Sequence, residues 1–426
     1  MTFFDFTVTV LIRTLSLGTV LSQSEVIMSS KFKVEQFLDK ARVRPHIFSA
    51  EPSFYTGFNN LFTLGWGDAS IEKKFRIDND EDLIHMFTKV FRAFSSCLRG
   101  DDYAGFKTLN FHKLYQLMNA TQWFNWQFIR SRYFADIHYE LPHQLYVAML
   151  GESRAYSSGY WPEGVKTLDE AQNAKFDLII RKLGLKAGDT VLDFGCGAGS
   201  LGRYAGALGI KVVGLNICKE QLDYARKHNN QEVPAIYLDF NLVIQSVAEL
   251  RDILEPYGIE NFDVVTFIGS IEHVGWKNYT KLFKKLNSLL KPEGKILCHT
   301  IGSYQPLPVA DPYIMTRIFP DSQLAVVSEM TKAMETSGFQ LMDWHNLETG
   351  NHSYAKTLRA WLYNFQTHWE KDIKPFMPHE DKEAFKREWE FYLMLCIGGF
   401  EANNFINVSH YLMQKINNPN PCTIIR

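Results

Sequence analysis

The chain has 426 residues, 46% of them hydrophobic and 22% charged, with a formal net charge of −2 at pH 7. That length can bury a large core and predicts about two domains. The near-neutral charge excludes the electrostatic footprint of a nucleic-acid binder and leaves any membrane contact to local patches. Aromatics reach 14%, with 32 Phe, which suits an apolar substrate and equally an aromatic core. Six cysteines (97, 196, 218, 298, 396 and 422) form no CxxC pair and no metal spacing. They read as buried thiols in a reducing, cytoplasmic setting, with no metal site. No uncharged apolar run reaches the ~18 residues of a transmembrane helix.

Residues Phe6 to Ser22 are apolar and Thr/Ser-rich, but they follow an acid, Asp5, and contain Arg13. The pattern fits a secretory signal or a mitochondrial leader poorly, and it leaves a targeting signal open. Met28-Ser29-Ser30-Lys31 reads as the more natural start, with 1–27 as an extension. Residues 28–126 form a small, mainly helical domain: Asp82 to Phe91 places apolar residues at helical intervals. Asn59 to Trp66, with Gly65 and Gly67 around an aromatic, reads as a loop. No catalytic constellation falls in this region.

The second domain, 127–426, opens with a Trp-, Phe- and His-rich stretch in which His138 reads as a capping or core histidine. A helix is expected over Leu145–Leu150. Tyr156-Ser157-Ser158-Gly159-Tyr160-Trp161-Pro162 is too aromatic for an ordinary surface loop. Thr167-Leu168-Asp169-Glu170 is a capping box that starts a helix through Arg181.

Lys186-Ala187-Gly188-Asp189-Thr190 enters a strand, and Val191-Leu192-Asp193-Phe194-Gly195-Cys196-Gly197-Ala198-Gly199 is a strand-loop-helix junction. Glycines there let the backbone bend and approach a ligand, and the following helix offers free N–H groups. A nucleotide-like cofactor belongs at this loop. Gly197-x-Gly199-x-x-Gly202 satisfies the dinucleotide fingerprint, which calls for an acid ~20 residues on. Asn216 stands at that place. Asp193 before the first glycine is instead the placement used by S-adenosylmethionine-dependent methyltransferases. The loop alone leaves open a methyl donor, a nicotinamide and an unoccupied glycine turn.

Strands over Lys211–Leu215, Pro234–Leu238, Phe262–Ile268 and Lys295–Thr300 alternate with helices over Lys219–His228 and Tyr279–Leu290. This predicts right-handed βαβ units and a mostly parallel α/β sheet, which binds ligands beyond the carboxyl ends of its strands. The motifs after the strands are Ser270-Ile271-Glu272-His273-Val274-Gly275, His299-Thr300-Ile301-Gly302 and Asn351-His352-Ser353-Tyr354. Converging Glu, His and Tyr can hold a proton-transfer site; a helix cap at Glu272 with His299 and Tyr354 as core residues fits the same pattern equally. There is no zinc spacing and no GxSxG elbow. The last 70 residues read as helical and apolar, with Phe391–Phe400 lining the core or an acyl pocket.

Together these pieces resemble the cyclopropane-fatty-acyl-phospholipid synthases and mycolic acid cyclopropane synthases, from about Arg132 to the C-terminus. The ordered series is His138-Tyr139 with Met149-Leu150, Tyr156-Ser157-x-Gly159-Tyr160-Trp161 and Thr167-Leu168-x-x-Ala171-Gln172-x-x-Lys175. It continues with Leu192 to Gly199, Glu220-Gln221, Glu272 to Tyr279, His299 to Gly302, Asp311 to Ile314, Ile318-Phe319-Pro320 and Asp343 to Asn346. The resemblance implies a Rossmann-like class I methyltransferase fold, S-adenosylmethionine as donor and the double bond of an unsaturated acyl lipid as acceptor. It implies a bound bicarbonate as base, in a pocket of Glu272, His299 (largely through its backbone), Ile301 and Tyr354. Donor contacts would fall on Tyr156, Ser157, Asp193, Gly195, Cys196, Gly197, Gly199, Asn216, Gln221 and Phe240, whose ring could lie on the adenine.

Two departures stand out. Ser158 replaces the family's pocket cysteine, and its hydroxyl can still donate to bicarbonate. Asn216 replaces a threonine. The expectation is therefore methylene transfer to phospholipid acyl chains, giving cyclopropane lipids at a cytoplasmic membrane surface through peripheral contact. A methyl-branched product, another lipid acceptor or a catalytically silent lipid-binding relative stand as alternatives, and a homodimer stays open. A nicotinamide enzyme falls away once the later motifs are counted.

Overall fold

Short apolar runs alternating with amphipathic segments build a sheet sheathed by helices in the computed structural model. It describes residues 23–40, 49–52, 54–55, 58, 63–77, 79–98, 141–228, 235–239, 247–304, 311–319, 322–378, 380–402 and 405–416. The described strands are β1 (Ser49–Ala50), β2 (Phe75–Arg76), β3 (Thr190–Phe194), β4 (Lys211–Asn216), β5 (Ile236–Asp239) and β6 (Phe262–Ile268). They continue with β7 (Leu290–Ser303), β8 (Ala325–Val326), β9 (Phe339–Asn346) and β10 (Ile406–Lys415). β1 pairs with β2, and the other eight form one sheet in the order β5-β4-β3-β6-β7-β10-β9, with β8 beside β7.

Strands β5, β4, β3, β6 and β7 run parallel to one another, as the alternation predicts. Parallel neighbours need crossovers, and Ser200–Gly206, Lys219–Lys227, Val247–Leu254 and Trp276–Leu289 supply the helices. β3 is buried along its whole length, the expected state of a strand covered on both faces. Leu192, Phe194, Val265 and Phe267 pack on one face against Tyr279, Phe283 and Leu286. Val191, Val212, Val264 and Leu297 pack on the other against Phe176, Ile179 and Leu201. The helix Leu168–Leu183 on that second face has the predicted capping box, Thr167 and Glu170 each accepting the other's backbone N–H, and ends at left-handed Gly184.

The chain divides into two units. One holds residues 1–124 with 309–321 and 379–405; the other holds 125–308, 322–378 and 406–426. The stretch expected as one unbroken domain over 127–426 is thus interrupted twice. In the first unit the helix Lys382–Glu401 meets the helix Asp80–Leu98, with Phe391 edge-on to Phe87 at 5.2 Å. The run Phe391–Phe400 is therefore core of this unit: a Cβ on Gly398 would overlap Phe87. The loop expected over Asn59–Trp66 is corrected where it is described, because Thr63–Ile71 is helical. Gly67 marks a close approach to the Tyr313 ring rather than a turn. A helix over Gln23–Lys40 runs through Met28, so the 27/28 boundary falls inside an element.

The largest correction is at the C-terminal end, where β10 replaces expected helix. Ile406-Asn-Val-Ser-His-Tyr-Leu-Met-Gln-Lys415 lies antiparallel between β7 and β9 and is buried on both faces. Such a run shows no period-2 alternation, so periodicity cannot separate it from a buried helix. Cys196, Cys218 and Cys298 are buried free thiols and Cys396 is half-buried; the side chains of Cys97 and Cys422 lie outside the described residues. So does His138. Among the described residues no helix is long and apolar enough to cross a membrane.

Candidate active site

β3 delivers Asp193 to the carboxyl edge of the sheet, where the chain turns through Gly195, Gly197 and Gly199 into the helix Ser200–Gly206. The backbone N–H groups of Gly195 and Cys196 both donate to Leu215 O, at 2.8 and 3.0 Å, which pins the loop to β4. Gly195 needs to be glycine twice over: its φ is +86°, and a Cβ would overlap the Ser270 side chain. Ser270 Oγ donates to Phe194 O and closes the loop from the β6 side.

In front of this loop lies a cavity of about 560 Å³. Its walls include Tyr156, Ser157, Asp193, Gly195, Cys196, Gly197, Asn216 and Gln221, so these sequence-predicted donor residues are brought together. Gly199 caps the helix behind them at φ +75° and is not part of the lining. Phe240 lies outside the described residues. Asn216 Nδ2 donates to Gln221 Oε1 at 2.8 Å and reaches Gly197 O at 3.4 Å, tying the ends of β3 and β4 to the next helix. Cys196 is buried, and that burial pushes its thiol well above the ordinary range, so it is an inert wall.

Asp193 is 2% exposed and accepts from Thr266 Oγ1 at 2.8 Å. Burial pushes its carboxyl up to about 6, against the hydrogen bond from Thr266 and the charge of Lys175. Burial pushes Lys175 the other way, down to about 7. His273, also in the wall, is pushed down to about 4 by burial and is neutral near pH 7.

The second predicted set sits off this lining. Glu272, on a short 3₁₀ turn after β6, is 6% exposed, and its Oε1 accepts from Ile301 N–H at 2.8 Å. Burial raises its carboxyl above the usual range. Its Oε2 is buried with no hydrogen-bond partner, as are Trp276 Nε1 and Tyr279 Oη a few residues on. The carbonyl of His299 accepts from Gly269 N–H at 2.9 Å, while its ring pairs with His410 at 2.9 Å. The structure thus joins Glu272, Ile301 and His299 through one strand end.

Tyr354 belongs to a different element, the helix Ser353–His368, which the loop after Ser158 meets through Gly159 and Trp161. Ser158 is 1% exposed and its Oγ donates to Gly159 O at 2.8 Å, so its one proton is committed to its neighbour. Gly159 N–H and Trp161 Nε1 both donate to Thr357 Oγ1. Tyr354 opens that helix, with its N–H donating to Glu348 Oε1 at 2.9 Å and its ring edge-on to Trp361.

The cavity also has walls to which the sequence reading gives no role: His143, Arg154, Lys175 and Tyr224. The Arg154 guanidinium lies 4.0 Å from the Tyr224 ring centre and 2.8 Å from His143 Nε2. Arg154 carries a positive φ of 55°, which no sequence pattern announces. Lys175 did carry a signal, a lysine at helical spacing on the apolar stripe of its helix.

Residues 129–411 match the family model described as mycolic acid cyclopropane synthetase. The chain is 36% identical over 268 residues to the cyclopropane-fatty-acyl-phospholipid synthase of Escherichia coli (strain K12), which covers 63% of this chain and 64% of that protein. The chain therefore spans under two thirds of that relative. The crystal structure of mycolic acid cyclopropane synthase CmaA1 complexed with SAH and CTAB superposes with a TM-score of 0.56 at 28% identity, covering 66% of this chain and 98% of that one. Coclaurine N-methyltransferase, at 17% identity and a TM-score of 0.60 over 82% of this chain and 99% of that one, shares the fold alone. The sheet is thus the Rossmann-like one of class I methyltransferases. With two thirds of its length under one family model, the chain belongs to the mycolic acid cyclopropane synthetase family.

Proposed function

We propose that this chain is an S-adenosylmethionine-dependent C-methyltransferase. It adds a methylene across the double bond of unsaturated acyl chains of phospholipids, giving cyclopropane fatty acyl lipids. The observation that carries the reading is the cavity of about 560 Å³ against the Asp193–Gly199 loop in a chain of this family. S-adenosylmethionine, when bound, supplies an electrophilic methyl group on a sulfonium. The chain's own work is to orient that donor with Tyr156, Ser157, Asp193, Asn216 and Gln221, to exclude water, and to remove one proton from the transferred methyl. Water would trap the cationic chain as an alcohol, so the base must be small and its surroundings apolar.

A bicarbonate fits beside Glu272 on one observation: Glu272 Oε2 is buried without a hydrogen-bond partner. Burial makes the Glu272 carboxyl hold its proton to higher pH than an ordinary glutamate, so it can donate to such an anion. Bicarbonate held there would accept the proton released on ring closure. Peripheral contact with an anionic lipid surface is supported by the helix Trp276–Leu289. It carries Lys277, Lys281, Lys284 and Lys285 with no acid, and two of them, Lys281 and Lys285, line the cavity.

The test is mass spectrometry of lipids from a host that expresses this chain with labelled methionine. One labelled CH₂ on unsaturated chains, in a product that no longer takes up hydrogen, is the expected result. A product that still takes up hydrogen means a methyl or methylene branch. Unlabelled lipid with donor bound by the purified chain means another acceptor or a silent relative.

A further inference from the structure

The helix Leu168–Leu183 buries Leu168, Ala171, Gln172, Lys175, Leu178, Ile179 and Lys182 along one stripe, so two lysines face the sheet. Lys182 has a counter-ion there: its Nζ lies 3.1 Å from Asp343, both side chains at most 1% exposed. Lys175, 0% exposed, has none within ion-pair distance among the described residues. Its Nζ donates to Ser157 Oγ at 2.8 Å and to Gln172 Oε1 at 2.6 Å. An ammonium has three donors, and no acceptor among the described residues takes the third. A buried ammonium without an anion is costly, and this one stands in the cavity wall.

Ser157 receives the Lys175 bond on its oxygen and so keeps its own O–H for a ligand. Gln172 Nε2 donates to the Ser157 carbonyl at 3.0 Å, fixing that residue from a second side. Asp193 stands in the same wall. One cation, one anion and one hydroxyl thus face a common space, the complement of an α-amino carboxylate.

We propose that Lys175 is a donor-binding residue: its third N–H, with Ser157 O–H, takes the carboxylate of the methionyl end of the donor, and Asp193 faces the amino group. The inference rests on the reading of this cavity as the donor site. The groups facing Lys175 are Ser157 from the preceding loop, Gln172 and the Phe176 ring on its own helix, and Asp193 on β3. His299 on β7 and His410 on β10 feel its charge, and burial lowers both well below the ordinary imidazole range. Burial brings Lys175 down to about 7, so the cation is present below that pH and lost above it.

The test is calorimetric binding of two ligands, S-adenosylhomocysteine, which carries the amino-acid end, and 5′-methylthioadenosine, which lacks it. Lys175→Met should weaken the first by about tenfold or more and leave the second within about twofold. In the wild-type protein, affinity for the first should fall between about pH 6.5 and 8.5 while affinity for the second stays level. Equal weakening of both ligands, or of neither, overturns the inference, as do parallel pH profiles. The pH series alone decides if the variant does not fold. No binding of S-adenosylhomocysteine by the wild-type chain would overturn the donor reading itself and the inference with it.

Discussion

In the cavity against the Asp193–Gly199 loop the polar side chains are paired with one another or with close neighbours: Asn216 with Gln221, Asp193 with Thr266, Lys175 with Ser157 and Gln172. Around Glu272 three buried polar atoms, Glu272 Oε2, Trp276 Nε1 and Tyr279 Oη, have no hydrogen-bond partner among the described residues. The difference follows from size. A cavity of about 560 Å³ admits water when no ligand is bound, and its walls must hold their shape while empty, which internal pairing provides. Tyr279 is 0% exposed, among Phe267, Phe283 and Leu286. Polar atoms left unmatched in such surroundings are costly, and they are where a small polar ligand gains most. The first region keeps its geometry by internal pairing, while the second leaves buried polar atoms unmatched.

The sharpest break in that comparison is Glu272→Gln. Turnover should fall at least about 100-fold, the scale of a lost acid–base group, while S-adenosylhomocysteine binding stays unchanged by calorimetry. Loss of ligand binding instead would mean that the two regions are one. Gly195→Ala strikes only the donor side. A Cβ there would overlap Ser270 at a φ of +86°, so donor affinity should fall by about tenfold or more. Titration of the variant with S-adenosylhomocysteine reads this directly, and an unchanged affinity would place the donor elsewhere.

A smaller effect is expected at Glu348, whose carboxylate accepts the Tyr354 N–H and which burial pushes up from 4.5 to about 7. The folded state thus holds a proton that the unfolded chain releases near 4.5. Glu348 weakens the fold progressively as pH rises from about 4.5 to 7, and constantly above. Glu348→Gln should therefore be more stable than wild type at pH 8, by about 1–3 kcal/mol, with the gain gone near pH 4. Denaturant melts at the two pH values check the sign. Smallest of all is Ser158→Cys. The hydroxyl bonds only its neighbour's carbonyl, so turnover should change by no more than about threefold, under 1 kcal/mol. A large change would bring Ser158 into contact with the reacting groups.

Legibility in the sequence tracked how local each feature is. The Asp193–Gly199 loop is one continuous segment whose glycines and acid announce their conformation; Asn216 and Gln221 follow a strand end that alternation located, while Tyr156 and Ser157 lie in a loop between two helices, marked only by its aromatic motif. Glu272 was legible as a residue after a strand, but its bond to Ile301 depends on the register of β6 and β7. The pairing of His299 with His410 depends on β10, which reads as helix because both its faces are buried. Gly67 shows the same limit from the other side. A glycine required by a ring packed against it looks, in sequence, like a glycine that turns the chain. Lys175 could be placed on an apolar stripe by spacing, yet its hydrogen bonds to Ser157 and Gln172 exist only once the loop folds over the helix.

The central claim is tested most directly with the purified chain, methyl-labelled S-adenosylmethionine and vesicles of a monounsaturated phospholipid, the lipid product then being hydrogenated and weighed. The account predicts one labelled CH₂ per modified acyl chain and no uptake of hydrogen by that chain. A labelled product that still takes up hydrogen, or vesicles that stay unlabelled although the donor binds, would contradict it.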